Sequence, residues 1–233
     1  ASVSTIDAPN PPTACTATRT NDSQAVVSWT NGDTDDSHPR TGSYVQRMTD
    51  SGSYVQLATT AQDVAQFNDT TISANHRYRY RVRSYNAYGA SSYATSGYIY
   101  TTPSAPTSVT LTKTSTNVVK VSATDSATYA TGYDVQRQQD GGLWESVASN
   151  APLPLSDTIT GETVRYRVRT VRGTLASSWK TSDTITGIVA PDAPTITAKP
   201  AAVVESGSTV TIRWTPNHPD GTEQASAQVL VTD

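Results

Sequence analysis

Residues 76–86, HRYRYRVRSYN, place arginines at every second position, and the meaning of this alternation decides the fold. The arginines are Arg77, Arg79, Arg81 and Arg83, and the side chains between them are Tyr78, Tyr80, Val82 and Ser84. Interleaved arginines and aromatic rings are found on surfaces that bind nucleic acid. The same alternation is also the pattern of a β-strand with one face in solvent and the other in a core.

The overall composition argues against nucleic-acid binding. The 233 residues carry a formal net charge of −3, from 17 basic and 20 acidic side chains. A protein that binds nucleic acid usually shows an excess of basic residues, and this chain has none. We therefore expect no nucleic-acid partner, and a strand is the better explanation of the alternation.

Other features of the composition narrow the class of protein further. The hydrophobic content is 35%, with abundant serine, threonine and valine, which is typical of many short strands joined by polar turns. The single cysteine, Cys15, allows no intrachain disulfide. No apolar run reaches the length of about 18 residues that a membrane-spanning helix needs, so we expect no membrane insertion.

Internal repeats are the strongest signal in the chain. The motif GSYVQR at 42–47 recurs as GYDVQR at 132–137. The longer stretch RYRVRSYNAYGASSY at 79–93 aligns without gaps to RYRVRTVRGTLASSW at 165–179. Two matches in the same order indicate that one structural unit occurs more than once.

Proline-bearing segments mark the start of each copy. They read APNPPT, TPSAPT and APDAPT, at near-equal spacing. Their positions predict three domains, at 1–102, 103–190 and 191–233. The third copy is predicted to be incomplete, because it holds only the opening strands, and a lone three-strand fragment cannot close a sandwich core. Either further chain or a partner would then complete it.

Within each unit the apolar residues recur with period two. Val27 and Trp29 fall on one face of the run VVSW, and Val119 and Val121 fall on one face of VKV. The same pattern places three residues of the third copy on one face: Val210, Ile212 and Trp214. Short alternating strands joined by regular turns predict an all-β fold, with an antiparallel two-sheet sandwich in each unit.

These patterns together resemble tandem fibronectin type III domains, which are immunoglobulin-like β-sandwiches. Trp29 stands where that family has the core tryptophan of its second strand, and Tyr78 where it has the corner tyrosine at the start of its sixth strand. Asn86 and Gly89 match the loop before the last strand. The resemblance implies the same sandwich in the first two units and its opening strands in the third.

The second unit departs from the family pattern at two positions. Val121 replaces the core tryptophan, and Val164 replaces the corner tyrosine. We expect Trp144 and Trp179 to restore some of the lost aromatic volume.

Strand geometry assigns a face to each side chain of residues 76–86. Successive side chains point to opposite faces, so the arginines are expected in solvent and the intervening residues in the core. The second unit keeps this parity, with four residues expected to point inward: Val164, Tyr166, Val168 and Thr170. Rings and guanidinium groups on opposite faces cannot together clamp a base.

The sequence offers little for catalysis or metal binding. No histidine has a partner at the spacing of a metal site, and a nucleophile elbow and a phosphate loop are absent. The acidic loop GDTDDS holds Asp33, Asp35 and Asp36 but lacks the spacing of a calcium-binding loop, so we interpret it as a solvated turn. We therefore expect no enzyme activity, no catalytic residue, no cofactor and no metal.

A tripeptide in the second unit is similar to an integrin-binding motif of some animal fibronectin type III domains. Arg172, Gly173 and Thr174 lie where those domains present Arg-Gly-Asp. Threonine at the third position removes the carboxylate that the motif needs, so we expect no integrin-type site here.

The better candidate for a functional site is the outer face of the first unit. The family's strand order puts the sixth strand between the third and the last. Ile99 aligns with Ile185 and should face inward, which turns Tyr98 and Tyr100 outward. The candidate interaction surface then comprises Tyr44, Gln46, Arg79, Arg81, Arg83, Tyr85, Tyr88, Tyr98 and Tyr100.

Two interpretations of this surface are open. Tyrosine and arginine side chains on neighbouring strands stabilise a sheet without any ligand. Surfaces rich in tyrosine and flanked by arginine are also typical of interfaces. Thr184 and Thr186 stand in the second unit where the first has Tyr98 and Tyr100, so the surface is expected in the first unit alone.

Tandem sandwiches on short proline-bearing linkers imply a semi-rigid, non-catalytic structural and adhesive spacer. The arginine-rich, lysine-poor composition favours a bacteriophage tail or virion surface protein. Its expected partners are neighbouring protein subunits, including copies of itself, or cell-surface glycans, at the virion surface or in the extracellular space. The alternative is an accessory region of a secreted bacterial polysaccharide-degrading enzyme or a surface adhesin. A eukaryotic receptor ectodomain fits less well, because disulfides are lacking.

Overall fold

The computed structural model describes residues 5–125, 127–187, 192–198 and 211–217. In these segments the regular structure consists of β-strands, and helices do not occur. Accordingly, the described segments hold no helix with the length and hydropathy needed to cross a membrane.

The first unit is a sandwich of two antiparallel sheets. One sheet has the order β1-β2-β5, and the other has the order β4-β3-β6, with β7 and β8 both paired to β6. The strands run in chain order as β1 (Thr13–Asn21), β2 (Gln24–Thr30), β3 (Gly42–Thr49), β4 (Tyr54–Ala61), β5 (Gln66–Asp69), β6 (Arg77–Asn86), β7 (Gly89–Ala90) and β8 (Ala94–Tyr100).

The second unit repeats this arrangement. One sheet has the order β13-β10-β9, and the other has the order β12-β11-β14, with β15, β16 and β17 paired to β14. The strands are β9 (Ser108–Ser115), β10 (Val118–Thr124), β11 (Gly132–Gln139), β12 (Glu145–Ala151), β13 (Leu155–Thr158), β14 (Thr163–Arg172), β15 (Leu175–Ala176), β16 (Lys180–Thr181) and β17 (Ile185–Thr186). The predicted all-β architecture of tandem antiparallel sandwiches is confirmed.

Only a two-stranded piece of the predicted third copy lies in the described segments. Strands β18 (Asp192–Ala198) and β19 (Arg213–Asn217) pair antiparallel, with Ile196 opposite Trp214. Both side chains are exposed, by 61% and 39% respectively. Of the face predicted to hold Val210, Ile212 and Trp214, Val210 lies outside the described residues, as does most of the predicted third copy.

The central strand of the first sandwich has the predicted parity. Every second residue of β6 is buried, and these residues are Tyr78, Tyr80, Val82 and Ser84. They pack on β2, where Val27 and Trp29 are buried as well. In the second unit, Val164, Tyr166, Val168 and Thr170 are buried in the same way.

The arginines of β6 lie on the opposite face, but they are less exposed than expected. Each of Arg79, Arg81 and Arg83 is half-buried rather than free in solvent. The difference arises because aromatic side chains from the same face cover the guanidinium groups: Tyr98 contacts Arg79, and Tyr93 contacts Arg81 and Arg83. Parity sets the direction of a side chain, whereas its neighbours set how much water reaches it.

Tyr78 makes the contact expected of a corner tyrosine. Its hydroxyl accepts a hydrogen bond from the backbone nitrogen of Ser73 at 2.9 Å. This bond ties the start of β6 to the loop before it, as in other immunoglobulin-like sandwiches. In the second unit, Val164 replaces the ring and is buried without such a bond.

A buried carboxylate joins the two sheets of the first unit. Asp69, on β5, is only 1% exposed and accepts hydrogen bonds at Oδ2 from Arg47 Nη1 and from the Tyr80 hydroxyl, both at 2.8 Å. Its other oxygen accepts bonds from the backbone nitrogen and hydroxyl of Thr71. Arg47 and Tyr80 belong to the sheet opposite Asp69, so the carboxylate is held from both sides.

The second unit builds the same bridge from equivalent residues. Asp157 Oδ2, on β13, accepts a hydrogen bond from the Tyr166 hydroxyl at 2.7 Å and one from Arg137 Nη1 at 3.0 Å. A second guanidinium nitrogen of Arg137 binds Glu145 at 2.9 Å. The same three residue types, an aspartate, a tyrosine and an arginine, thus join the two sheets in both units.

Glycine begins the repeated motif in both units because the next strand passes too close for a side chain. A Cβ atom on Gly42 would lie 1.9 Å from the carbonyl oxygen of Thr60. On Gly132 it would lie 2.7 Å from the backbone of Asn150. The two glycines therefore let β3 and β11 pair tightly with the strands that follow them.

Replacing Tyr80 by phenylalanine should destabilise the first sandwich. The substitution keeps the ring but removes a hydrogen bond to a buried carboxylate, which is worth about 2 kcal/mol. We expect the melting transition of this unit to fall by roughly 10 °C in calorimetry. Tyr44→Phe is the control, because the Tyr44 hydroxyl has no hydrogen-bond partner within the described segments. Equal melting of the two variants would contradict the bridge.

The bridge also predicts an acid-sensitive stability. Burial alone would raise the pKa of the Asp69 carboxyl, but hydrogen bonds from Thr71, Tyr80 and Arg47 outweigh it and lower the pKa below its ordinary value. A carboxyl with a lowered pKa contributes stability above the pKa of the unfolded chain, and this stability is lost as the pH falls through the folded pKa.

We therefore expect the melting temperature of the first unit to fall steeply below a pH of about 4. In Asp69→Asn the acid limb of the profile should be shallower, whereas Asp63→Asn, at an exposed position, should keep the steep limb. Profiles of equal slope in all three proteins would assign the acid sensitivity to other groups.

Candidate functional site

The outer face of the β4-β3-β6-β8 sheet brings most of the predicted surface residues together. Strand β6 lies between β3 and β8, as expected. Across β3, Tyr44 is opposite Arg83 and Gln46 is opposite Arg81, and the Arg81 Nε donates a hydrogen bond to Gln46 Oε1 at 2.8 Å. The predicted contacts on this side of β6 are therefore present.

On the other side of β6 the predicted neighbours differ. The register shifts between Arg79 and Arg81, so that Tyr98 is opposite Arg79 while Thr95 is opposite Arg81. Tyr100 is opposite Arg77. Tyr98 and Tyr100 were expected to flank Arg79, Arg81 and Arg83, and this holds for Arg79 alone, whose guanidinium carbon lies 5.3 Å from the Tyr98 ring centroid. The expectation is wrong for Arg81 and Arg83, because antiparallel pairing with Tyr98 opposite Arg79 places both tyrosines at the start of β6.

Two tyrosines that the sequence reasoning missed cover these arginines instead. The guanidinium carbon of Arg81 lies 4.0 Å from the ring centroid of Tyr54 and 3.9 Å from that of Tyr93. Arg83 lies 4.8 Å from the Tyr93 ring and 5.6 Å from the Tyr44 ring. Arginines and rings thus alternate in a stack, which we call the arginine ladder, and each contact stabilises the face by about 0.5–1 kcal/mol.

The second unit has its own arginine ladder, in which tryptophans replace the tyrosines. Arg167 lies 4.5 Å from the Trp144 ring and 4.7 Å from the Trp179 ring. Arg169 lies 4.6 Å from the Trp179 ring and pairs with Asp134 at 2.8 Å. The expectation that these tryptophans restore core volume is therefore wrong, because both rings pack on the outward arginines.

This finding also corrects the view that the surface belongs to the first unit alone. The ladder is common to both units, and the repeat alignment contained the signal: Tyr54 matches Trp144, and Tyr93 matches Trp179. The first unit alone has Tyr98 and Tyr100, and also Tyr44, Tyr85 and Tyr88, which align with Asp134, Val171 and Thr174.

Serine side chains hold the ladder's loop where strand pairing is interrupted. Ser91 Oγ accepts a hydrogen bond from the backbone nitrogen of Ser84, and Ser96 Oγ accepts one from that of Tyr80, both at 3.0 Å. Tyr93 lies between these two anchors. In the second unit the same bonds are made to β14 by two serines, Ser177 and Ser182.

Tyr100 lies at the contact between the two units. The guanidinium carbon of Arg172, in the second unit, is 3.4 Å from the Tyr100 ring centroid. The Tyr100 and Tyr129 rings meet edge to face at 5.9 Å. Arg77 extends the cluster, at 4.4 Å from the Tyr98 ring and 4.9 Å from the Tyr129 ring. We call these five residues the junction cluster.

An acidic side chain supports the junction cluster. Asp50 Oδ2 lies 2.7 Å from His76 Nδ1, and its Oδ1 accepts a hydrogen bond from the backbone nitrogen of Arg77 at 3.1 Å. Burial alone would raise the pKa of Asp50, but hydrogen bonds from His76, Arg77 and Tyr129 outweigh it and lower the pKa. The charged carboxylate therefore binds groups from both units.

The remaining predicted surface residues lie at one end of the ladder. Tyr85 stacks on Tyr44 with ring centroids 4.3 Å apart. Tyr88 is 64% exposed. The predicted surface thus divides into a ladder, a junction and an exposed loop. Because rings cover Arg81 and Arg83 on both sides, the geometry favours the sheet-stabilising interpretation for these two arginines, and partner binding by the surface stays a prediction.

The other segments weighed from the sequence have local roles. Asp35 Oδ1 accepts hydrogen bonds from the backbone nitrogens of Ser37 and His38, which closes the acidic loop as a turn. Among the described residues, no group of three or more histidine, cysteine or acidic side chains could hold a metal ion. Arg172 of the Arg-Gly-Thr tripeptide donates to the Tyr129 carbonyl at 2.9 Å, as part of the junction.

No protein-family model matches the chain. Among solved structures, a segment of two fibronectin type III domains from chicken tenascin is similar over 76% of this chain and 99% of that chain, with 14% identity and a TM-score of 0.41. The FN1-FN3 domains of chicken CNTN1 are similar over 89% of this chain and 75% of that chain, with 16% identity and a TM-score of 0.46. The strand order and the two cores described above carry the fold assignment.

Replacing Tyr93 by alanine should destabilise the first sandwich from its outer face. The variant uncovers one side of both Arg81 and Arg83, which removes two ring contacts worth about 1–2 kcal/mol together. We expect a melting temperature lower by roughly 5–10 °C. Tyr88→Ala is the matched control, since that ring is mostly exposed. If the Tyr93 variant melted like the control, the ladder would contribute nothing to stability.

Proposed function

We propose that this chain is a non-catalytic structural and adhesive spacer, and that it forms part of a bacteriophage tail or virion surface protein. It acts at the virion surface or in the extracellular space, where it contacts neighbouring subunits or host-surface glycans. The observation that carries the proposal is the junction between the two sandwiches. A spacer transmits position only if its joints resist bending, and this joint is held by side chains from both units.

The linker between the units is bonded to the first sandwich along its length. The Thr101 nitrogen donates to the His76 carbonyl at 3.0 Å, and the Thr102 nitrogen donates to Asp22 Oδ1 at 2.8 Å. The Ser104 nitrogen donates to Asn75 Oδ1 at 3.2 Å. These bonds remove the freedom that a flexible linker would have.

The linker is also bonded to the second sandwich. The carbonyl of Ser104 accepts a hydrogen bond from the Thr170 hydroxyl, on β14. Pro103 and Pro106 restrict the backbone on either side of this contact. Together with the junction cluster, the linker supports a fixed angle between the sandwiches, as a spacer requires.

Composition supports the viral part of the proposal. Arginine outnumbers lysine, threonine and alanine are abundant, and one cysteine leaves the fold without disulfides. Stability then comes from the buried bridges and the two ladders, which need no oxidising compartment during folding.

Small-angle X-ray scattering with in-line light scattering tests the proposal on the purified chain. We expect a particle of more than one chain, with one well-defined distribution of interatomic distances. The double variant Tyr129→Ala, Arg172→Ala should keep its two melting transitions but give a broader distribution, because the junction cluster is lost. Arg165→Ala is the control and should scatter like the parent, because this arginine lies 5.4 Å from the Trp144 ring of the second unit and outside the junction cluster.

Two results would count against this function. A free monomer would contradict the assembly part of the proposal. A parent chain whose distance distribution matches that of the double variant would show that the joint is flexible, and a spacer with a set angle would then be excluded.

A further inference from the structure

A cleft lies beside the junction cluster, between the two sandwiches. Its volume is about 560 Å³, and it is broadly open to solvent. One wall comes from the first unit, with Thr18 and Arg19 of β1 and Tyr98 of β8. The other wall comes from the second unit, with Thr131 and the turn that follows Arg172. Any molecule bound there would touch both units.

The cleft concentrates positive charge in a chain that is negative overall. Its lining holds two arginines and no carboxylate, whereas the formal net charge of the chain is −3. Arg19 is paired with Asp22 at 2.8 Å and is therefore largely compensated. Arg172 forms no salt bridge within the described part of the chain. An anionic ligand is thus favoured, and Arg172 is the group that attracts it.

Arg172 keeps a free bidentate edge. Its Nη1 donates to the Tyr129 carbonyl, and the described residues provide no hydrogen-bond partner for Nε or Nη2. The Nε–Nη2 edge of a guanidinium matches the two oxygens of a carboxylate. Contact with the Tyr100 ring on one face and the Tyr129 carbonyl at Nη1 holds the group in place before a ligand arrives.

The remaining lining suits a sugar ring. Tyr98 is 36% exposed, and the part of its ring that Arg77 and Arg79 leave uncovered offers an aromatic surface for the apolar face of a pyranose. Thr18, Thr131 and Thr174 are exposed and place hydroxyl groups along the rim. A few polar groups around an aromatic surface are typical of sites that orient a small polar ligand.

We propose that this cleft binds a saccharide unit that carries a carboxylate, such as a uronic or sialic acid residue of a surface glycan. The carboxylate binds the Nε–Nη2 edge of Arg172, the sugar ring packs on Tyr98, and the threonine hydroxyls bind the sugar hydroxyls. The proposal rests on the adhesive function above and names the class of ligand for it.

Calorimetric titration of the whole chain tests the proposal. The probes are a glucuronate-containing oligosaccharide and sialyllactose, and each is compared with the same sugar after reduction of its carboxylate to an alcohol. We expect an acidic sugar to bind and its reduced form to bind at least about tenfold more weakly, because bonds to a charged group are lost. Equal affinity for the acidic and reduced sugars, or no binding of either acidic sugar, would overturn the proposal.

Variants locate the site. Arg172→Gln and Tyr98→Ser should each weaken binding at least about tenfold, whereas Arg165→Gln removes one charge elsewhere and should bind like the parent. Because Arg172 also holds the junction, Thr174→Asp is the second test: it adds a negative charge to the rim and should abolish binding without touching the junction cluster. Unchanged affinity in Thr174→Asp would place the ligand elsewhere.

An acidic peptide is the competing ligand, and it is tested with the same variants. An acidic peptide that binds as tightly as the sugar and is lost in the same variants would assign the cleft to a protein partner, which overturns the saccharide assignment. Scattering distinguishes the two proposals. A stiff assembly that binds no sugar would support the spacer function and overturn the saccharide site. A flexible monomer that binds the acidic sugar would support the saccharide site and overturn the spacer function.

Discussion

The Asp69 carboxylate is buried between the two sheets of the first sandwich. It accepts hydrogen bonds from Arg47 and Tyr80 of the opposite sheet and from Thr71, which follows its own strand. A charged group with almost no access to water is costly unless donors surround it. Arg47 and Tyr80, on the opposite sheet, donate to the same oxygen, and these bonds constrain how the two sheets pack. The contact requires Tyr80 to point inward, and alternation along β6 then directs its arginines outward. The equivalent bridge at Asp157 imposes the same constraint on the second unit.

The outward face then has to accommodate a row of arginines. Neighbouring cations repel one another, and the rings of Tyr54 and Tyr93 separate Arg81 from further charge while their faces attract it. In the second unit tryptophan supplies the rings, and Asp134 pairs with the last arginine where the first unit uses Tyr44. Different residues thus reduce the repulsion between neighbouring arginines in the two units. The residue that contacts the last arginine of the ladder, Tyr44 or Asp134, differs between them.

Much of the fold could be predicted from the sequence, because period-two alternation assigns a face to each residue wherever a strand is regular. The buried set on β6 follows from that rule, and the inward Ile99 follows from its alignment with Ile185. The prediction failed for the neighbours of Arg81, because alternation assigns a face to each residue but not the register between strands, and the register places Tyr98 and Tyr100 opposite Arg79 and Arg77. The sequence does not specify the face on which Trp144 and Trp179 lie, because both are close to irregular segments, and only their contacts with Arg167 place them on the outer face.

The candidate site was less predictable than the fold. Tyr100 was expected on an outer face, but its contacts with Tyr129 and Arg172 join residues far apart in sequence, and no local pattern reveals them. Asp69 and Arg47 were missed for a similar reason, since a carboxylate on a short strand gives no sign of burial before its partners are known. Repeated motifs predict the two sandwiches, whereas the ladder and the junction cluster depend on contacts between strands that no motif encodes.

The serine anchors on either side of Tyr93 and Trp179 have a consequence for how such units diversify. Side-chain oxygens of Ser91 and Ser96 satisfy β6 where main-chain pairing is interrupted, so the residue between them takes no part in the hydrogen-bond register of the sheet. That position can exchange one ring for a larger one without displacing a strand. A duplicated unit can therefore change the side chain at this position of its outer face while the strand order and pairing stay the same.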